Sequence, residues 1–156
     1  MGGLSSFVVL MLIGYLMSQT WLEVARDARR AASRLLTEGS FRSSMSRAYY
    51  AAYSKVTHEL VEIAGLTMKV DREGPEHPGK TGTGGIRRLI ETSMMGVDGV
   101  RRQKLSEMIG RLYTLRIDAN YKPSVVIDGG DAREAISLMN KIFDAEGTKG
   151  LKHADS

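Results

Sequence analysis

The sequence contains no cysteine. That excludes a disulfide framework, cysteine-ligated zinc, iron–sulfur centres and a thiol nucleophile. It has only three prolines and a 6% share of aromatics, which disfavours many short strands joined by turns. Nine methionines favour helices instead. Histidine is scarce too: His58 and His77 are too few and too far apart to argue a metal site. No metal and no cofactor is expected. Neither sign of charge dominates, with 22 Lys plus Arg against 18 Asp plus Glu, a net +4 and a pI of about 9.4. Mild basicity fits RNA, DNA or an acidic partner and proves none of them. The 156 residues suffice for one domain with one core. These absences describe a soluble, mostly helical domain of a reducing compartment, hence a cytoplasmic location.

Long hydrophobic runs are lacking as well. The longest, Phe7 to Met17, reads FVVLMLIGYLM, short of the ~20 residues of an ordinary membrane span. No Lys or Arg precedes it, so it lacks the basic region of a signal peptide. Three readings stay open: a hydrophobic helix docked on the domain or a partner, an upstream extension before a natural start at Met17, or weak membrane association through residues 4–22. The chain thus divides into a leader (1–17), a helical domain (18–146) with a mobile loop (65–85), and a flexible tail (147–156).

Five segments carry helical periodicity. The first runs from about Gln19 to Thr37, with Leu22, Ala25, Ala28, Ala32, Leu35 and Leu36 on one stripe and Gly39 as the C-terminal cap. The second runs from about Ser40 to Ala64. Met45, Tyr49, Tyr53, Val56, Leu60 and Ile63 form its core face. Arg47, Tyr50, Ser54 and His58 fall on a line opposite, with Ala51 and Val61 among them. A second, half-apolar face suits a helix used at a homodimer interface. A short third helix turns Ile86, Leu89, Ile90 and Met94 inward. The fourth, about Val100 to Asn120, buries Leu105, Met108, Ile109, Leu112, Leu115 and Ala119. Its outer side, Arg101, Arg102, Lys104 and Arg111, is basic. Lys122-Pro123 ends it. The fifth follows Gly129-Gly130, with Asp131 as N-cap, Glu134 completing a capping box, and Ala132, Ala135, Ile136, Met139, Ile142 and Phe143 inward.

The segment DREGPEHPGKTGTGG has five glycines and two prolines and reads as loop. Its HPGKTGTGG stretch lacks the G-x4-G-K-[ST] spacing of a phosphate-binding loop, and no strand precedes it.

Two motifs together carry a family resemblance. Ala32 to Ser54 reads ASRLLTEGSFRSSMSRAYYAAYS, and Leu112 to Pro123 reads LYTLRIDANYKP, followed by a helix. The chain resembles the HEPN superfamily, in small prokaryotic members of which SRAYYAAY- and LR-x-x-A-[DN]-Y-like motifs occur in this order. The resemblance covers about Trp21 to Phe143. It implies an all-α bundle of four to five helices, commonly dimeric. Members include metal-independent ribonucleases of toxin–antitoxin and other prokaryotic defence systems. Others are non-catalytic partners of small nucleotidyltransferases. The ribonucleases carry R-x4–6-H. Here Arg116 is present, but Tyr121 stands five residues on and no histidine follows nearby. Neither tyrosine nor asparagine titrates near neutrality, so neither Tyr121 nor Asn120 replaces a histidine as general base or acid without a large pKa shift. The one other R-x4-H, Arg72 to His77, lies in the loop.

The expected function is a HEPN-like module that binds RNA, nucleotide or a cognate partner protein. Arg47, Tyr50, Ser54, His58 and Arg116 are its candidate ligand groups, offering guanidinium forks for phosphate and a ring for stacking. The alternatives are a metal-independent ribonuclease toxin, with Arg116, Asn120, Tyr121 or loop His77 in its machinery, and a structural subunit of a larger complex. Each residue also has a purely structural reading. Arg47 would reach Asp118, Arg116 would pair with Asp118 or Asn120, and Tyr121 would pack under the loop that follows it.

Overall fold

The structure, a computed structural model, describes residues 5–10, 19–66 and 85–145. Every regular element among them is helical: residues 6–10, then α1 (Trp21–Thr37), α2 (Phe41–His58), a π-helical turn (Glu59–Ile63), α3 (Gly85–Ser93), α4 (Gly99–Tyr121) and α5 (Gly129–Asp144). None of these helices is long and apolar enough to cross a membrane. The glycine-rich loop with Arg72 and His77, most of the leader and the tail lie outside the described residues.

Local chemistry sets the helix ends. Thr20 caps α1: its hydroxyl accepts from the Glu23 amide at 3.2 Å, and the Glu23 carboxylate accepts from the Thr20 amide at 2.7 Å. At the other end Gly39 takes φ +76°. The Gly39 amide donates to the Leu36 carbonyl at 3.1 Å and the Ser40 amide to Leu35 at 2.9 Å, closing the paired turn that a left-handed glycine permits. The fifth helix starts earlier than expected. Asp128 is the N-cap of α5, accepting from the Gly130 and Asp131 amides at 2.7 and 3.0 Å, and Asp131 answers as its box partner.

Helix α2 is the centre of the bundle, packed against α1, α4 and α5. Ala48, Ala51 and Ala52 are fully buried, and such small side chains let neighbouring helices come close. Met45, Tyr49, Val56 and Leu60 fill the core as the periodicity predicts. Two polar residues are buried with them because the backbone supplies partners: Ser44 donates to the Ala32 carbonyl and Thr57 to that of Tyr53, each at 2.8 Å.

Two expectations along this helix are corrected. The α-helix stops at His58, and a π turn follows, shown by the Ala64 amide donating to the Glu59 carbonyl at 2.9 Å. A π turn advances fewer degrees per residue, so Ile63 leaves the line of Tyr53, Val56 and Leu60 and is exposed rather than buried. Met94 is buried as expected, but from the turn after α3.

Candidate functional site

Arg116 sits on the core-facing side of α4 and is only 4% exposed. A buried guanidinium normally finds a carboxylate; among the described residues this one has none. One of its terminal nitrogens donates to the Tyr50 hydroxyl at 2.9 Å. Its Nε is buried without a hydrogen-bond partner among the described residues. Aromatic rings take the place of the missing acid. The guanidinium carbon lies 5.1 Å from the Tyr49 ring, 5.0 Å from that of Tyr50 and 5.9 Å from that of Tyr121. These distances are within cation–π reach.

The tyrosines form a cluster of their own. The Tyr49 ring lies 5.6 Å from Tyr50 and 5.8 Å from both Tyr53 and Tyr113. The Tyr49 hydroxyl is buried and has no partner among the described residues. Burial pushes the phenols of Tyr49 and Tyr53 well above their ordinary value of 10.

Both structural pairings expected for the arginines are overturned. Asp118 is taken by Lys122 at 2.7 Å, and Asn120 donates to Ser46 at 3.2 Å, so neither holds Arg116. Arg47 does not reach Asp118; it is exposed and makes no hydrogen bond or ion pair among the described residues. The residue that does cross from α2 is Arg42. Its guanidinium donates to the carbonyls of Asp118, Ala119 and Lys122 at 3.3, 2.8 and 3.3 Å, and also to those of Pro123 and Val125. It satisfies the free carbonyls at the end of α4 and secures the turn beyond it. No sequence signal marks Arg42, because its partners are backbone groups far along the chain.

Arg42 and Arg47 border a groove of about 470 Å³ with Leu35, Ser43, Ser46, Tyr50 and Asn120. Tyr50 is half-exposed and joins the groove to Arg116 through its hydroxyl. Tyr121 is 64% exposed rather than packed under the following loop. The expected line on α2 is therefore divided. Arg47 and Tyr50 reach the groove, while Ser54 is buried at 5% exposure. His58 lies about 12 Å from Tyr50 along the axis, where its Nδ1 stands 3.7 Å from Glu62.

The groove offers cations, hydroxyls, an amide and a ring, and no side chain that ordinarily titrates near neutrality. Such a set can hold an anion and stack a base; proton transfer is not among its ordinary capacities. Among the described residues no cluster of acids and histidines is arranged to hold a metal. The basic outer side of α4 is largely engaged: Arg101 pairs with Asp98, Arg111 with Glu134, and Arg102 donates to Met94 and Met95. Comparison of the chain with protein-family models, curated proteins and solved structures finds no match.

Proposed function

We propose that the chain is a HEPN-type helical module that binds a phosphate-bearing ligand, RNA or nucleotide, at the Arg47–Tyr50–Arg116 face. The observation that carries this reading is Arg116: a buried cation with, among the described residues, no acid partner and no partner for its Nε–H, hydrogen-bonded to a tyrosine that borders an open polar groove. Burying a guanidinium unpaired costs on the order of several kcal/mol, and an anion seated against Arg47 and Tyr50 would offset part of that cost through the Tyr50 hydroxyl that Arg116 holds. The SRAYYAAY and LRIDANY motifs place Tyr50 and Arg116 at the heart of the resemblance. In this reading the module forms a homodimer and acts in a cytoplasmic toxin–antitoxin or defence system. A small nucleotidyltransferase is the cognate partner class.

The test is binding of a short single-stranded RNA and of a nucleoside monophosphate, with a parallel cleavage assay in EDTA. Wild type is expected to bind with an affinity that falls as salt rises. Arg47→Ala and Arg116→Lys each weaken it about tenfold while circular dichroism stays unchanged. No cleavage is expected. RNA cleavage that disappears in Arg116→Ala replaces this reading with a ribonuclease in which Arg116 stabilises the charge developing on phosphorus. Tyr121, whose ring lies 5.9 Å from that guanidinium, is the neighbour such a mechanism would draw on. Absence of both binding and cleavage leaves the role of a structural subunit.

A further inference from the structure

A cavity of about 360 Å³ lies at the other end of α2 from the groove, with room for two large side chains. Met94, Val97, Leu105 and Met108 give it an apolar wall. Charges of both signs stand around that wall, and most are already paired. Lys55 engages the buried Glu59, and Arg101 pairs with Asp98 at 3.1 Å. Lys104 and Asp144 are exposed and make no ion pair among the described residues. A charged occupant would attract one of these two and repel the other, so the cavity suits a neutral, apolar one. The chain carries such a segment, for no Asp, Glu, Lys or Arg occurs before Glu23. Residues 6–10 are helical, the Val8 and Val9 amides donating to the Ser5 carbonyl at 2.8 and 3.1 Å. Phe7 and Leu10 share one face and are more exposed than Val8 and Val9. Anchors at this spacing seat a helix in an apolar groove. Leader and cavity also belong to one end of the bundle. The short turn at 38–40 makes α1 and α2 an antiparallel hairpin, in which Ser44 meets the Ala32 carbonyl. The start of α1 therefore stands at the end of α2 that carries Lys55.

We infer that Phe7 and Leu10 of one copy of the chain fill this cavity in a second copy, which returns its own leader in exchange. Within a single chain both side chains are exposed, and exposed apolar surface of this kind marks an interaction site. The exchange is reciprocal: each copy supplies a leader and a cavity, so a pair leaves neither free and the assembly closes. The contact forms by mass action, at high protein concentration and not at the dilution of a thermal melt. It uses no residue of the phosphate-binding face and does not rest on that reading.

Because the chain has no cysteine, introduced ones report on this contact alone. Phe7→Cys and Met108→Cys are made in separate full-length chains, mixed at high concentration and mildly oxidised. Met108 is a half-buried residue of the cavity wall. A disulfide-linked pair of the two variants is expected, formed about tenfold faster than the pair of Phe7→Cys with Val126→Cys. Val126 is exposed at the other end of the bundle, beside the carbonyl that Arg42 holds. The double variant Phe7→Cys/Met108→Cys gives linked pairs and not a chain closed on itself. In sedimentation velocity at the same concentration wild type self-associates, Phe7→Ser/Leu10→Ser does so less, and Arg47→Ala matches wild type. Far-UV circular dichroism checks each fold, and Lys104→Cys on the exposed rim replaces Met108→Cys if that variant does not fold. Linking no faster than at Val126, a chain closed on itself, or undiminished self-association of Phe7→Ser/Leu10→Ser overturns the inference. A wild type that stays monomeric overturns it too, and its binding to phosphatidylcholine vesicles would then assign the leader to a lipid surface.

Discussion

Tyr49 and Tyr50 are neighbours in sequence with opposite demands. The Tyr49 hydroxyl is buried with no partner among the described residues, whereas the Tyr50 hydroxyl accepts from Arg116 at 2.9 Å. Tyr49→Phe is therefore expected to leave stability unchanged or raise it by up to about 1 kcal/mol, since it removes only an unmet polar group. Tyr50→Phe lowers stability by about 1 kcal/mol, a charge-assisted bond discounted for the half-exposed ring. Denaturant melts of the two variants check this pair, and a marked loss in Tyr49→Phe would show that its hydroxyl has a bound partner. Periodicity puts Arg116 four residues on from Leu112, at the border of the core face. It did not reveal the arginine's partners, for a geometric reason. Asp118 is two residues on, and side chains at that spacing do not face each other along a helix. Lys122 is four residues on from Asp118 and takes it. Asn120 does share the face of Arg116, but Ser46 on the neighbouring helix is what it meets. Cross-helix partners of this kind, like the carbonyls gathered by Arg42, leave no spacing in the chain to read.

Among the helices, acid sensitivity should concentrate at the caps. Hydrogen bonds from the Asp131 and Gly130 amides hold the Asp128 carboxyl below its ordinary value. Thr20 does the same for Glu23, and Arg111 for Glu134. A carboxyl whose folded pKa is depressed contributes its stability above the ordinary carboxylate value, and loses it as pH falls through the folded one. The melting temperature is thus expected to hold near neutrality and to drop from about pH 4 downward. Asp128→Ala should lower it by a few degrees at pH 7 and flatten the acid limb; an unaltered acid limb would remove Asp128 from the explanation. The existence of all five helices and their core stripes follow from apolar spacing, but the second face of α2 does not: Ala51 and Ser54, read as lying on an outer line, are 0% and 5% exposed because α2 is covered on several sides. Nor does the cap of α5 follow from spacing. The run Asp128-Gly129-Gly130-Asp131 followed by Glu134 offers two capping boxes three residues apart. Tertiary structure decides between them, since Glu134 is engaged by Arg111 at 2.7 Å. The π turn is equally silent in sequence, its residues continuing the helical pattern until geometry turns Ile63 outward.

For the molecule as a whole, residues 5–10 of the leader hold its largest run of exposed apolar side chains among the described residues. Residues 6–10 are helical, and every side chain from 5 to 10 is exposed, Phe7 at 68% and Leu10 at 66%. Over this stretch the leader is not docked on the domain. Phe7→Ser combined with Leu10→Ser is expected to leave the melting temperature unchanged. The same change should lower self-association in sedimentation velocity, because exposed apolar surface seeks a partner. A lowered melting temperature would instead place these side chains in the fold. Helical class and core were legible at this scale because burial follows periodicity. The groove was legible only in part: Arg47 and Tyr50 lie on a visible line, while Ser43, Ser46 and Arg42 become its wall only when α2 meets the end of α4. Arg42 has one more consequence, in time rather than in space. Its carbonyl partners lie 76 to 83 positions along the chain, so it joins them only after a long loop has closed and the two helices have docked. The turn at 122–125 is then a latch that sets late in folding. Loosening it by Arg42→Ala should quicken unfolding while leaving the refolding rate nearly untouched.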